Sequence, residues 1–307
     1  MDRLLITGGS GLLGLNWACS VRDRFDAVLA THRHSVQLAG TRCVSLELES
    51  PAVLMRQIRE LAPRLIVHTA GMTSVEQCER FPLDAERANV TLAQHVAVAA
   101  RELGIKLVHV STDHLFAGDR AQASEEDEPQ PLNVYARTKL QAERLVREVD
   151  PAALIVRTNF FGWGHAHRQS FSDWIVNSLR AGKNITMFDD VFFSPILADT
   201  LALTTHDIVA KDGRGVYNVV GETRVSKFDF ANQIADCFGL SKALITRGRI
   251  SDSSLSVTRP RDMSLDNAKV RNLLQRNLGS VNDFLAELHW QEQQGRAAEL
   301  RNAVTEK

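Results

Sequence analysis

Thr7-Gly8-Gly9-Ser10-Gly11-Leu12-Leu13-Gly14 stands directly behind a short apolar run, Arg3 to Thr7, and directly ahead of a helical pattern. The glycines are spaced G-x-x-G-x-x-G. After a strand and before a helix, that spacing has a physical reading. Gly8 permits the tight turn, Gly11 lets the backbone approach a pyrophosphate, and Gly14 lets the helix pack closely on its strand. The helix N-terminus then faces the phosphates. Glycines also simply make turns, so the flanking strand and helix carry the prediction of a dinucleotide site that includes Ser10.

Working outward, β-branched runs alternate with helical patterns through the first half. Candidate strands are Arg3 to Thr7, Ala27 to Thr31, Arg42 to Leu46, Leu65 to Thr69, Lys106 to Ser111 and Ala153 to Thr158. Ala85, Ala88, Leu92, Val96, Ala99 and Leu103 recur at intervals of three and four and predict a helix, stopped by Gly104. This alternation predicts an α/β fold, a Rossmann-type doubly wound parallel sheet whose ligands lie beyond the carboxyl ends of its strands. After about residue 160 the pattern loosens. Helices are expected near Ser170 to Ala181, Asp199 to Val209, Ser226 to Phe238 and Val281 to His289, with a strand at Gly215 to Val220. Ser226 and Gly239 suit the two ends of the third helix. We therefore expect a cofactor domain over 1–160 and a smaller α/β substrate lobe over 161–307, with some elements returning to the first domain.

Bulk properties narrow the function classes. The 307 residues are 44% hydrophobic and 24% charged, an ordinary globular balance. Lysine plus arginine number 36 against 37 acidic residues, a net charge of −1, so no global field draws nucleic acid or an anionic membrane. Cys19, Cys43, Cys78 and Cys237 form no C-x-x-C pair, which fits a reducing cytoplasm better than a zinc site or a disulfide framework. Neither a signal-peptide apolar segment, a membrane span nor a repeat is evident in the sequence.

Two further patterns bear on chemistry. A site selective for NAD carries Asp or Glu about 20 residues beyond the glycines; this chain has Thr31-His32-Arg33-His34. Arg33 with two imidazoles suits a 2′-phosphate, so NADPH is favoured and NADH is the alternative. The second pattern is Tyr135-Ala136-Arg137-Thr138-Lys139. Four residues is one helical turn, so the phenol and the ammonium share a face. A nearby cation is expected to lower the tyrosine pKa and make it a usable general acid. Thr112, in Ser111-Thr112-Asp113 at a strand end, can orient a substrate carbonyl.

These blocks together resemble an extended short-chain dehydrogenase/reductase, and within that superfamily the dTDP-4-dehydrorhamnose reductase family of sugar-nucleotide reductases. The resemblance is carried by the glycine loop, by 68–79 (HTAGMTSVEQCE), by Asn89, by 110–116 (VSTDHLF) and by 131–139 (PLNVYARTK). It continues more loosely through 157–160 (RTNF), 189–195 and 259–265. The resemblance implies Thr112, Tyr135 and Lys139 as catalytic residues, the last two also holding cofactor. It implies Gly8, Gly11, Leu12 and Leu13 at the pyrophosphate, and Glu47 and Leu48 near adenine. Thr69, Ala70 and Gly71 form the wall beside the cofactor, and Thr112, Asp113 and Phe160 meet the substrate. His114 stands where that family usually has Tyr, and Phe160 where it often has Trp, so the sugar itself is in question; His114 is counted as a substrate contact.

The expected function is NADPH-dependent reduction of the 4-keto group of a nucleotide-linked 6-deoxysugar. A homodimer is allowed, and no nucleic acid, membrane or metal is expected. One alternative is a non-catalytic NADP-binding regulatory subunit resembling the methionine adenosyltransferase β subunit, which the intact Thr112, Tyr135 and Lys139 argue against. Another is a sugar-nucleotide epimerase or dehydratase; a dehydratase would want Asp-Glu after the threonine, and this chain has Asp113-His114. Arg259 and Arg261 are read equally as a diphosphate clamp or as surface arginines, and Phe192 and Phe193 equally as core or nucleobase stack. His165 and His167 read as a polar loop rather than metal ligands, and 125–128 (EEDE) as a solvated acidic loop.

Overall fold

The computed structural model describes residues 1–32 and 34–306. Seven strands form one parallel sheet: β1 (Arg3–Thr7), β2 (Asp26–Thr31), β3 (Thr41–Ser45), β4 (Leu65–His68), β5 (Lys106–Val110), β6 (Leu154–Arg157) and β7 (Gly215–Asn218). Their order is 3-2-1-4-5-6-7, so the chain reverses direction between β1 and β4. That reversal opens a crevice at the carboxyl ends, directly above Thr7, where ligands bind in open α/β sheets. β7 comes from the second half of the chain and pairs with β6 from Gly215↔Leu154 to Asn218↔Arg157.

Strand periodicity explains the two layers. In β1, Leu4 and Ile6 enter one apolar cluster while Leu5 enters another, and β4 to β6 divide in the same alternating way. The face of Leu5 is covered by α2 (Pro51–Leu61), α3 (Leu92–Glu102) and α4 (Val134–Val149). The face of Leu4 is covered by α1 (Leu12–Val21) and α6 (Ala198–Ala210), joined where Trp17 donates to His206 Nε2 at 3.1 Å. This second cluster runs on into the C-terminal half, taking in Phe161, Trp163, Phe230 and Phe284. There α5 (Phe171–Arg180), α7 (Lys227–Cys237) and α8 (Val281–Gln293) surround short strand pairs such as Ile185–Phe188 with Ile245–Gly248.

The expected elements appear with small shifts at their ends. Ser226 caps α7 by accepting from Asp229 N–H at 3.0 Å, and Gly239 follows with φ +63°. The helix expected from Ala85 is not uniform: a π turn, Arg87–Thr91, precedes α3. Such single π turns inside α-helices are frequent at functional sites, and here Asn89, within the turn, bonds Met72 N–H at 2.7 Å and Thr138 Oγ1 at 3.0 Å. The acidic stretch 125–128 is not merely solvated. Glu125 accepts from Asn218 N–H at 2.7 Å, closing the outer edge of β7. No helix of the described residues is long and apolar enough to cross a membrane.

Candidate active site

The loops leaving β1, β4, β5 and β6 enclose a cleft of about 700 Å³. A second cavity of about 220 Å³ adjoins it and shares Gly8, Ser10, His34 and Ala70. Gly8 has φ +70°, and a Cβ there would lie 2.7 Å from Ala70 N. A Cβ on Gly14 would meet Gly8 O at 2.7 Å, so the first turn of α1 presses against the loop rather than against the strand. Gly11 caps α1 with no side-chain hydrogen bond, and no acidic residue stands in the first turn. The free N–H groups and dipole of α1 therefore face the cleft without an internal anion, and a pyrophosphate fits that cradle.

Ser10, Leu12 and Leu13 line the larger cleft, opposite Thr69, Ala70 and Gly71. Leu48 lines the smaller cavity with Thr31 and His32, and no carboxylate is among the described residues that border it. Glu47 does not reach it: its exposed carboxylate accepts from Glu49 N–H at 2.9 Å, which holds it on the surface. Arg33 lies outside the described residues. His34 borders both cavities, and its buried Nδ1 has no partner.

Tyr135 and Lys139 are placed by the start of α4. Asn133 accepts from Ala136 N–H at 2.9 Å as the helix cap and donates to Thr258 O at 3.0 Å, which fixes where the helix begins. Tyr135 follows in the first turn and Lys139 one turn later. Both line the cleft with Thr112, and the three are 8%, 7% and 4% exposed. Burial pushes the Tyr135 phenol up to about 12, opposed mainly by its hydrogen bond with Thr112. The expectation that Lys139 lowers this phenol is corrected, because the ammonium is engaged elsewhere, donating to Val110 O at 2.7 Å. Burial pulls Lys139 down to about 8, with Glu143 acting the other way. Glu143 is held in turn by Arg157 at 2.8 Å in a buried pair.

Asp113 accepts from Asn159 Nδ2 at 2.5 Å. His114 packs edge-on against the Tyr135 ring, centroids 5.6 Å apart, with its Nδ1 buried and unpartnered. Asp113, His114, Phe160 and Arg259 all line the cleft. Arg259 is paired with Glu76 across it, and its Nε is buried without a partner. Arg261 is exposed and is not among the cleft residues. Phe193 is core, packed edge-on against Phe230 at 5.2 Å, and Phe192 lies under the Arg224 guanidinium at 3.7 Å; neither lines the cleft.

Several cleft features were not foreseen. His165, His167 and Arg168 reach the cleft from the second half, and the His167 ring stacks on His34 at 6.2 Å. Neighbouring histidines in a loop hinted at a site, but nothing local showed that they would meet His34. No described group of three or more His, Cys, Asp or Glu side chains stands ready to hold a metal. His68 and His109 lie under Lys139, and their sequence signal was a polar residue inside an apolar strand.

Fold and site together define a nucleotide-binding α/β protein with a Thr-Tyr-Lys centre. The family model for the RmlD substrate binding domain matches residues 1–293, and the chain belongs to that family. It is 28% identical to the probable low-salt glycan biosynthesis reductase Agl14 of Haloferax volcanii, over 92% of this chain and 96% of that protein. It is also 28% identical to the methionine adenosyltransferase 2 subunit beta of Pongo abelii, over 88% of this chain and 82% of that one. Among solved structures, dTDP-4-dehydrorhamnose reductase from Bacillus anthracis, in complex with NADP, matches with a TM-score of 0.84 at 23% identity, over 94% of this chain and 99% of that chain.

Proposed function

We propose that this chain is an NADPH-dependent reductase of the 4-keto group of a nucleotide-linked 6-deoxysugar. The observation that carries the reading is the meeting of Thr112, Tyr135 and Lys139 at the floor of the cleft that the glycine loop borders. His32 and His34 at the smaller cavity, with no carboxylate among the described residues that line it, and the basic sequence Thr31-His32-Arg33-His34 favour NADPH over NADH.

Bound NADPH supplies a hydride to the ketone carbon. Tyr135 then gives its proton to the oxygen, which becomes far more basic than a phenolate as the hydride arrives. A phenol held at about 12 is fully protonated near neutral pH, the state a proton donor needs. Thr112 orients the ketone oxygen toward the phenol, so developing charge meets a fixed donor. Lys139 presents its ammonium to the cofactor ribose from the same helical face. Arg259, the guanidinium over the mouth of the cleft, meets the substrate diphosphate. His114 and Phe160 face the sugar and set which sugar is accepted.

The similarity to a methionine adenosyltransferase β subunit supports a second reading, an NADP-binding regulatory subunit. NADPH oxidation followed against a panel of nucleotide-linked 4-keto-6-deoxysugars separates the two. Under the reductase reading at least one sugar is reduced, and Tyr135→Phe loses about 10²–10⁴-fold in kcat while NADPH affinity holds. NADPH binding with no turnover across the panel overturns the reductase reading in favour of the regulatory one.

A further inference from the structure

β4 and β5 are apolar strands, Leu-Ile-Val-His and Lys-Leu-Val-His-Val, and each carries one histidine beneath the cleft floor. His68 and His109 are register partners on adjacent strands, each 1% exposed, with rings stacked 5.4 Å apart at 22°. On the far side His68 Nδ1 lies 2.7 Å from Thr7 Oγ1 of β1. On the near side His109 Nε2 lies 3.5 Å from Lys139 Nζ. A line of polar groups thus crosses three strands and ends on the ammonium: Thr7, His68, His109, Lys139. Burying two imidazoles in a sheet is unfavourable unless they are well paired, yet His68 Nε2 and His109 Nδ1 have no partner. Packing alone would be served better by valine.

An ammonium only donates, so Nε2 of His109 accepts and its ring proton sits on Nδ1. Both imidazoles are neutral: burial drives His68 down to about 3 and His109 well below its usual range, and the Lys139 charge pushes each the same way. Of the three ammonium protons, Val110 O and His109 take two, and one is left for the cleft.

We propose that His109 is a positioning residue for Lys139: its neutral Nε2, with Val110 O, fixes the ammonium so that its remaining proton points into the cleft, while His68, anchored by Thr7, holds the His109 ring. The proposal rests on the reading of Lys139 as the cation of the reductase site. The other ionisable groups around Lys139 are Tyr135 one turn earlier and Glu143 one turn later on α4, the latter neutralised by Arg157 of β6.

The test compares His109→Leu, which deletes the acceptor, with His109→Gln, whose carbonyl oxygen restores it. His109→Met is a second apolar variant with a more adaptable shape in case the leucine protein does not fold. Lys139 ionisation is read by NMR on protein labelled at the lysine Cε, with Lys139→Arg assigning the signal, and kcat is measured against pH in parallel. Loss of an acceptor disfavours the cation, so in the apolar variants Lys139 should titrate about one pH unit lower, and the alkaline limb of kcat should move with it. His109→Gln should keep the wild-type profile. A Lys139 that titrates at the same pH in all the proteins overturns the proposal, whatever happens to their melting temperatures. The NMR arm needs no turnover, so a wild-type chain inactive on every sugar would sink the reductase reading and leave this one to be decided separately.

Discussion

The two ends of the cleft are built by different means. At the cofactor end the deciding groups are backbone: a glycine turn, the free N–H groups of α1 and the close approach of Gly8 to Ala70. At the substrate end they are side chains drawn from remote segments, Arg259 reaching Glu76 and Asn159 reaching Asp113. A backbone cradle demands particular residues at fixed spacing. A side-chain wall demands only that some suitable group arrive, so it can vary without disturbing the fold. One half of the cleft is thus fixed by the fold, and the other is free to vary with the ligand it meets.

The backbone end can be broken most severely. Gly8→Ala puts a Cβ against Ala70 N in a left-handed conformation, and should destabilise the chain by about 3 kcal/mol or more. Gly11→Ala separates folding from binding. Its Cβ would meet only Gly8 O, at 3.1 Å, and Gly11 has an ordinary φ of −80°. Thermal melting should therefore fall much less than in Gly8→Ala, while NADPH affinity, read by fluorescence titration, should fall about 100-fold because the methyl occupies the approach to the phosphates. Unchanged affinity would show that this loop is not the phosphate cradle.

The same contrast explains what could be read beforehand. The parallel sheet, its glycine loop and the Tyr135–Lys139 turn were legible because each is local: a strand period of two, a helical turn of four, a loop spacing. His34 stacked on His167 was not legible, because the loop after β2 and the loop after β6 meet only in the folded chain. Nor was the direction of the Tyr135 shift. Spacing placed Lys139 on the same face, but its ammonium is bound to Val110 O, so burial governs the phenol. Nor was the position of the Glu47 carboxylate, which accepts from Glu49 N–H two residues on.

The side-chain end should break more gently. With Arg259 as the proposed diphosphate contact, Arg259→Ala would remove a charge-assisted bond of roughly 1.5–3 kcal/mol, so KM for the nucleotide sugar should rise about 10- to 100-fold with kcat little changed. It also frees Glu76 to repel a phosphate. Glu76→Gln in the Arg259→Ala background should therefore recover part of the loss. A KM that stays at the wild-type value would return Arg259 to a surface ion pair.

The smallest effect is expected at the outer edge of the sheet, away from both ends. Glu125 is half-buried, and burial raises its pKa while the Asn218 N–H that it binds lowers it. Its folded pKa lies above the unfolded one, so the folded state binds the proton more tightly. Its contribution to stability is then largest below the unfolded pKa and declines as pH rises through the folded one. Glu125→Gln keeps an oxygen for Asn218 and removes the buried charge, so at neutral pH it should match or slightly exceed wild type in chemical denaturation. Glu125→Ala leaves the Asn218 N–H unpaired against the loop and should lose about 1–2 kcal/mol. Equal losses in both variants would mean that the carboxylate charge, rather than the acceptor oxygen, holds the loop to β7.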